Sequence, residues 1–392
     1  MPKPFRLRQA PRSINRVLVC KCPAVTDTFD HHMMGLALAM ARLGLGRTAP
    51  NPSVGAVLVE PVTGEVIARA VTAAGGRPHA ETIAIGRAGA RARGTTMYVT
   101  LEPCSHIGHT APCADGVVAA GISRVICGIA DPDPRVSGRG LARLRAAGIE
   151  VERGLRAAEA GYLTQGHIVR VTERRPFVQV KMALAADGSV PRGEGGSPVF
   201  VTSPEARALG HLMRSQADAI LVGRGTVEAD NPALTCRLPG LENRCPRRVV
   251  LAKDGLSLVG TRLAEAPGAV PLTVFTGSGA REATSAAMRS VGADVRTVLA
   301  VGETLWLPSV LEQLAADGAT RLLVEGGPAI WRAFAKAGLV DEVALFVAGS
   351  QATSDSFALE LAGRHLGALS LVVKDRRPIG PDILWRLAVN PS

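Results

Sequence analysis

Residues 75–90 read GGRPHAETIAIGRAGA, and residues 99–117 read VTLEPCSHIGHTAPCADGV. The first run holds His79 and Glu81 where an apolar helical pattern begins. The second leads from a strand-like stretch into Pro103–Cys104. After eight intervening residues it reaches Cys113, where another helical pattern starts. One imidazole and two thiolates make a three-ligand zinc set that leaves the fourth tetrahedral position to water. Zinc lowers the pKa of that water towards ~7. A nearby carboxylate outside the ligand set can take the proton and hand it to a leaving group. The expected assignment is therefore zinc on His79, Cys104 and Cys113, with Glu81 as catalytic proton carrier. Two other uses compete. A redox pair would favour Cys-x-x-Cys spacing, which is absent. A structural zinc would need a fourth protein ligand, from His106 or His109.

The chain has 392 residues, enough for two domains. Hydrophobic residues make up 47% and charged residues 20%, so a packed core is expected. Aromatics are only 3%, which argues against a base-stacking surface and hence against a nucleic-acid partner, despite a net charge of +11. Residues 1–32 carry six Lys/Arg and two Asp/Glu and are expected to be a disordered extension, unless translation starts at Met33 or Met34. The seven cysteines follow no secretory signal, which favours metal or catalytic use over a disulfide framework. No apolar run approaches the ~20 residues of a membrane span, so a cytoplasmic protein without membrane contact is expected.

Helical patterns alternate with apolar strands from FDHHMMGLALAMARLGLG (residues 29–46) to GIEVERG (148–154), as in a sheet covered by helices. Arg174–Arg175–Pro176 interrupts the pattern. The domains are placed at residues 33–173 and 176–390. A second α/β series follows, including VQVKMALAADG, DAILVGRGTV and RLLVEGGPAIWRAF. TGSGARE (276–282) mimics a dinucleotide fingerprint, but Glu282 stands where the third small residue belongs, so a Rossmann assignment is rejected.

His-x-Glu followed by Pro-Cys is the arrangement of zinc-dependent base deaminases. NPSVGAVLVE, PHAE, VTLEPCSHIGHTAPC and DPDPRVSGRGLARLRAAGIEV closely resemble the deaminase domain of the bifunctional riboflavin-biosynthesis deaminase/reductase family. That family's long insert, Pro-Cys-Ser-His-x-Gly-x-Thr-x-Pro-Cys, is matched from Pro103 to Cys113. Nucleotide, nucleoside and transfer-RNA deaminases usually carry two residues between their cysteines, so the spacing separates the readings, and the resemblance implies a small phosphoribosylated pyrimidine as substrate. The resemblance implies a cytidine-deaminase-like three-layer domain, with Asn51 and His106 helping to hold the substrate.

The same resemblance implies a dihydrofolate-reductase-like α/β domain that uses NADPH to open a ribose to a ribityl chain. VQVKMALAADGSV, VTSPEAR and LMRSQADAILVGRGTVEADNPALTCR carry it, with Ala185, Phe200 and Asn231 replacing the family's usual Ser, Trp and Asp. Carried over, Ala183, Thr226, Asp230 and the turn Gly327, Pro328, Ala329, Ile330, Trp331, Arg332 and Ala333 would hold NADPH. Ser197, Arg214, Leu234, Arg237 and Glu325 would face the substrate. Independently, Gly326–Gly327 opening a helix suits phosphate; among the residues the resemblance assigns to the substrate, the guanidinium forks of Arg214 and Arg237 would suit its phosphate. A homo-oligomer is expected.

Overall fold

The structure is a computed structural model that describes residues 28–106, 111–134, 136–190, 200–265, 270–349, 354–367 and 369–390. The first half is built from α1 (Thr28–Gly44), β1 (Gly55–Val59), β2 (Val66–Val71), α2 (Ala80–Ala88), β3 (Thr96–Leu101), α3 (Cys113–Ala119), β4 (Arg124–Ile129), α4 (Arg139–Ala146), β5 (Glu150–Arg153) and α5 (Ala157–Glu173). Its strands form one sheet in the order β2-β1-β3-β4-β5. β1 pairs antiparallel with β2 and β3, whereas β3, β4 and β5 run parallel.

Successive residues of a strand face opposite sides, and both faces of this sheet are apolar. Ala56, Leu58, Met97, Val99 and Val125 pack with α2, α3 and α4. Val57, Val59, Tyr98 and Ile126 pack with Met34, Leu38 and Ala41 of α1 and with Ala160 and Leu163 of α5. The result is three layers, helices on each side of one sheet. That matches the expected architecture.

The expected N-terminal extension needs correction. Residues 1–27 lie outside the described residues, but residues 28–32 open α1. Asp30 is only 7% exposed and accepts hydrogen bonds from the Tyr98 hydroxyl and from Arg124. Arg124 also pairs with Glu152 of β5. One carboxylate in the first turn of α1 thus ties that helix to β3 and β4.

The chain turns at Arg174–Pro176 into β6 (Phe177–Leu184). Then follow α6 (Pro204–Ser215), β7 (Ala219–Gly223), α7 (Arg224–Asp230), β8 (Arg247–Leu251), β9 (Leu272–Gly277), α8 (Glu282–Ser290), β10 (Asp294–Val298), the short ribbon of β11 (Ala300–Val301) and β12 (Thr304–Leu305), α9 (Leu307–Ala316), β13 (Arg321–Val324), α10 (Pro328–Lys336), β14 (Glu342–Val347), α11 (Asp355–Leu366), β15 (Leu371–Ile379) and β16 (Asp382–Val389). Nine strands form a second sheet, β10-β9-β8-β7-β13-β6-β14-β16-β15. It is parallel from β10 to β14, and β16 and β15 close it antiparallel. α9, α10 and α11 cover one face. α6, α7 and α8 cover the other. TGSGARE joins β9 to α8, two strands from β7.

The anchor at Asp30 is open to test. Losing the Asp30 carboxylate removes an acceptor of the buried Tyr98 hydroxyl and costs about 1–3 kcal/mol, while Arg124 keeps its pairing with Glu152. Asp30→Ala, or a chain beginning at Met33, should lose stability of that order. A fall in the urea midpoint at unchanged m-value would show it.

Candidate deaminase and reductase sites

The sheet of the first half delivers its chemistry at helix starts. His79 is the N-cap of α2 in extended geometry, Glu81 lies in that helix's first turn, and Cys113 opens α3. Cys104 lies three residues past β3. The His79 Nδ1 atom lies 3.3 Å from Cys113 Sγ and 3.7 Å from Cys104 Sγ. One donor atom from each residue falls within 4.8 Å of the others, the only such His/Cys/Asp/Glu cluster of three among the described residues.

The protons of these groups show what the cluster suits. The Cys104 thiol is pulled down to about 4 by the hydrogen bond from Cys113, and Cys113 is pushed up by the same bond. The hydrogen bond to Cys104 also raises the His79 imidazole. The backbone N–H of Cys113 points at Cys104 Sγ from 3.2 Å, which further favours the thiolate. Three soft donors converge on one point, sharing protons that a zinc ion would displace. The donor set therefore fits zinc.

Glu81 is 3% exposed, and its Oε2 has no hydrogen-bond partner. Burial raises its pKa, against the pull of His79. A buried carboxyl with one unpartnered oxygen, in the helix turn that follows His79, is equipped to carry a proton. Asn51 donates from Nδ2 to the Gly76 carbonyl at 2.8 Å, so it is tied to the loop that delivers His79. His106 is half-buried, and its Nδ1 lacks a partner. His109 lies outside the described residues. Sequence patterns alone did not single out Glu102, whose buried carboxylate accepts backbone N–H groups beside Cys104.

The second sheet offers a cleft of about 450 Å³ lined by Lys181, Ala183, Phe200, Arg207, His211, Arg214, Arg237 and Glu325, among others. Its floor is a buried ion pair. Arg214 donates from Nε and Nη2 to the two Glu325 oxygens, both at 2.8 Å, and Lys181 Nζ stands 3.9 Å from Glu325. Burial pushes the Glu325 carboxyl up, but Arg214 and Lys181 outweigh it and hold it at about 2. His211 is lowered to about 4 by burial and by Arg214 and Arg237. Lys181 escaped the sequence patterns because only the fold aims it at Glu325.

β7 and β13 are parallel neighbours whose following helices leave on opposite faces. Val227 of α7 packs on one side, Trp331 and Phe334 of α10 on the other. Such a reversal opens a crevice at the carboxyl ends of the strands, the usual ligand position in open α/β sheets. A Cβ on Gly223 or Gly326 would come within 2.9 or 2.7 Å of Ile330, so these glycines let α10 start close against the sheet. Gly327 is the N-cap of α10, and Pro328 follows it.

Several expected binders sit differently. Trp331 is 4% exposed, belongs to the core and meets His365 edge-on, so its side chain serves packing. Ala333 and Ile330 pack against the same core. Leu234 is 2% exposed and packs beside Val227, so any ligand contact falls to its backbone. Ala329 and Arg332 are exposed, and Thr226 and Asp230 are half-buried on α7. Ser197 lies outside the described residues.

Comparison with known proteins bears on both halves. Residues 27–129 match the family described as the cytidine and deoxycytidylate deaminase zinc-binding region, and residues 176–350 match the RibD C-terminal domain. The riboflavin biosynthesis protein RibD of Escherichia coli K12 is 37% identical over 91% of this chain and 99% of its own length. That of Mycobacterium tuberculosis is 34% identical over 91% and 96%. The solved structure of the Thermotoga maritima diaminohydroxyphosphoribosylaminopyrimidine deaminase/5-amino-6-(5-phosphoribosylamino)uracil reductase superposes with a TM-score of 0.74 at 32% identity, covering 92% of this chain and 99% of that one. The Acinetobacter baumannii RibD structure gives 0.76 at 29%, with the same coverage. The chain belongs to the RibD family, the bifunctional deaminase/reductases of riboflavin biosynthesis.

Proposed function

We propose that the first domain hydrolyses the amine of 2,5-diamino-6-(5-phosphoribosylamino)pyrimidin-4(3H)-one, with His79, Cys104 and Cys113 holding zinc. The second domain then reduces the ribosyl group of 5-amino-6-(5-phosphoribosylamino)uracil to ribityl with NADPH. The observation that carries this reading is the convergence of His79 Nδ1 and the two Sγ atoms within 4.8 Å, beside the buried, unpartnered Glu81 Oε2.

Bound zinc supplies the Lewis acidity that makes water a nucleophile near neutral pH. Glu81 Oε2 accepts the proton released by that water and returns it to the departing nitrogen. Burial raises its pKa, the direction that makes it readier to hold a proton between taking it and giving it back. Asn51 and His106 flank the site and orient the pyrimidine. Glu81 is itself buried, which shields the proton it carries from bulk water.

In the second domain NADPH supplies the hydride, and the chain supplies position. Gly327 and the first turn of α10 hold cofactor phosphate, since a helix start favours anions. Ala183, Thr226 and Asp230 border it, with backbone contacts along Pro328–Ala333. The ion pair of Arg214 with Glu325 forms the substrate floor, joined by Lys181. Arg214 spends three of its five N–H groups on Glu325 and the Thr235 carbonyl. Arg237, exposed at the rim, is therefore the better placed guanidinium for the substrate's phosphate. Leu234 and Ser197 complete the substrate side. Exposed Leu299, Val301 and Trp306 near the β10 edge supply apolar surface that a homo-oligomer would cover. Among the described residues no helix is long and apolar enough to cross a membrane. We place the enzyme in the cytoplasm, where zinc thiolates stay reduced.

Ammonia and NADPH, followed separately on the diaminopyrimidine substrate, test the two steps. Glu81→Gln should retain one zinc per chain while ammonia release falls about 10²–10⁴-fold; undiminished release would refute the proton role. Arg214→Lys keeps the charge but loses the fork. It should raise the reductase KM for substrate at least ~10-fold with ammonia release unchanged. Glu325, depressed from 4.5 to about 2, contributes about 3 kcal/mol to folding. That stability is complete above pH 4.5 and is lost as pH falls through 2. Glu325→Gln should flatten this limb in a pH series of urea midpoints.

A further inference from the structure

We propose that Glu102 is a positioning residue for the zinc site, acting through Cys104. This rests on the zinc assignment to His79, Cys104 and Cys113. Glu102 is 3% exposed and lies one residue beyond β3. Its Oε2 accepts from the backbone N–H of Asp131 at 3.2 Å and of Gly138 at 2.9 Å. Its Oε1 accepts from Gly140 at 2.9 Å and Leu141 at 3.2 Å. The two oxygens of a carboxylate offer about four acceptor positions. All are used here, by one loop and the first turn of α4, where the helix dipole favours an anion.

The clamp works on both sides. It holds Asp131, Gly138, Gly140 and Leu141 against the segment that leaves β3. It also holds Glu102 itself, whose N–H donates to the Ile129 carbonyl at 3.0 Å. α4 and the segment 102–104 touch so closely that a Cβ on Gly140 would lie 2.0 Å from the Pro103 carbonyl oxygen. Cys104 follows at once, and its carbonyl accepts the Ala114 N–H at 3.1 Å. The position of one zinc ligand relative to the other is therefore set by two backbone attachments, one to α3 and one through Glu102 to α4. Groups that orient a ligand without touching the metal typically change metal affinity 10–100-fold when removed.

An amide cannot replace this carboxylate, because its NH2 would face two backbone N–H donors. Glu102→Gln should therefore weaken zinc binding about 10–100-fold in competition with a chromophoric chelator. In the cobalt-loaded protein it should also change the visible d–d absorption, which reports ligand geometry. Asp30→Asn, in a buried acid remote from the ligands, is the control for lost stability and should keep wild-type zinc affinity and cobalt spectrum. Should Gln at 102 prevent folding, Gly140→Ala asks the same question, because its new methyl group pushes on Pro103. Wild-type affinity and spectrum in the folded variant would overturn the proposal. So would equal losses of affinity in Glu102→Gln and Asp30→Asn, which would mark a purely structural role. A wild-type chain that takes up no zinc would overturn the metal assignment, and this inference with it.

Discussion

The deaminase half depends on keeping two sulfur atoms and one imidazole nitrogen close together although their charged forms and lone pairs crowd one another. Hydrogen bonds among the three do not by themselves fix their places, which the backbone supplies. His79 and Cys113 are fixed by opening helices, and the Cys113 N–H meets Cys104 Sγ. β3 lies centrally in its sheet and carries the chain to Cys104. Loops then have little freedom left.

The reductase cleft solves a related problem by opposite means. Glu325 is a buried carboxylate at the end of β13 and would be costly alone. Arg214 from α6 and Lys181 from β6 neutralise it, and the three residues bind three elements together at the mouth of the sheet. Such a pair adds little net stability over an apolar contact of the same shape. What it adds is a fixed, charged floor to the cleft. That floor stays ionised across the working pH range.

How much of this could be seen in the sequence follows from how local each signal is. His79, Glu81, Cys104 and Cys113 carry their chemistry in type and spacing, and the fold brings them together as expected. The strand and helix patterns of both halves are legible because each strand is apolar and bounded by turns. Glu102 and Lys181 were not legible. A glutamate that binds amides 29 to 39 residues away looks like any other charge in the sequence. Trp331 and Leu234 err in the other direction. Motif matching assigns them to ligands, but a motif records positions and does not distinguish backbone contact from a side chain turned into the core. Asp30 shows the same limit at an N-terminus, where composition suggests an extension and only the Tyr98 hydroxyl reveals a buried partner.

The two halves are not simply tethered. Arg170 of α5 donates to the Ala315 carbonyl in the second domain and to the Pro50 carbonyl in the first. Arg321 of β13 donates to the Tyr162 and Leu163 carbonyls and lies over the Tyr162 ring. Gly318 comes so close to Pro50 that a Cβ there would be 3.0 Å from it. Pro50 precedes Asn51, and β13 leads directly to Glu325. The deaminase loop that carries Asn51 is therefore braced against the same turn-and-strand unit that delivers the reductase's buried carboxylate. Loops that bind ligands are ordinarily the least stable parts of a fold. Here the loop that carries Asn51 is held by contacts from the neighbouring domain.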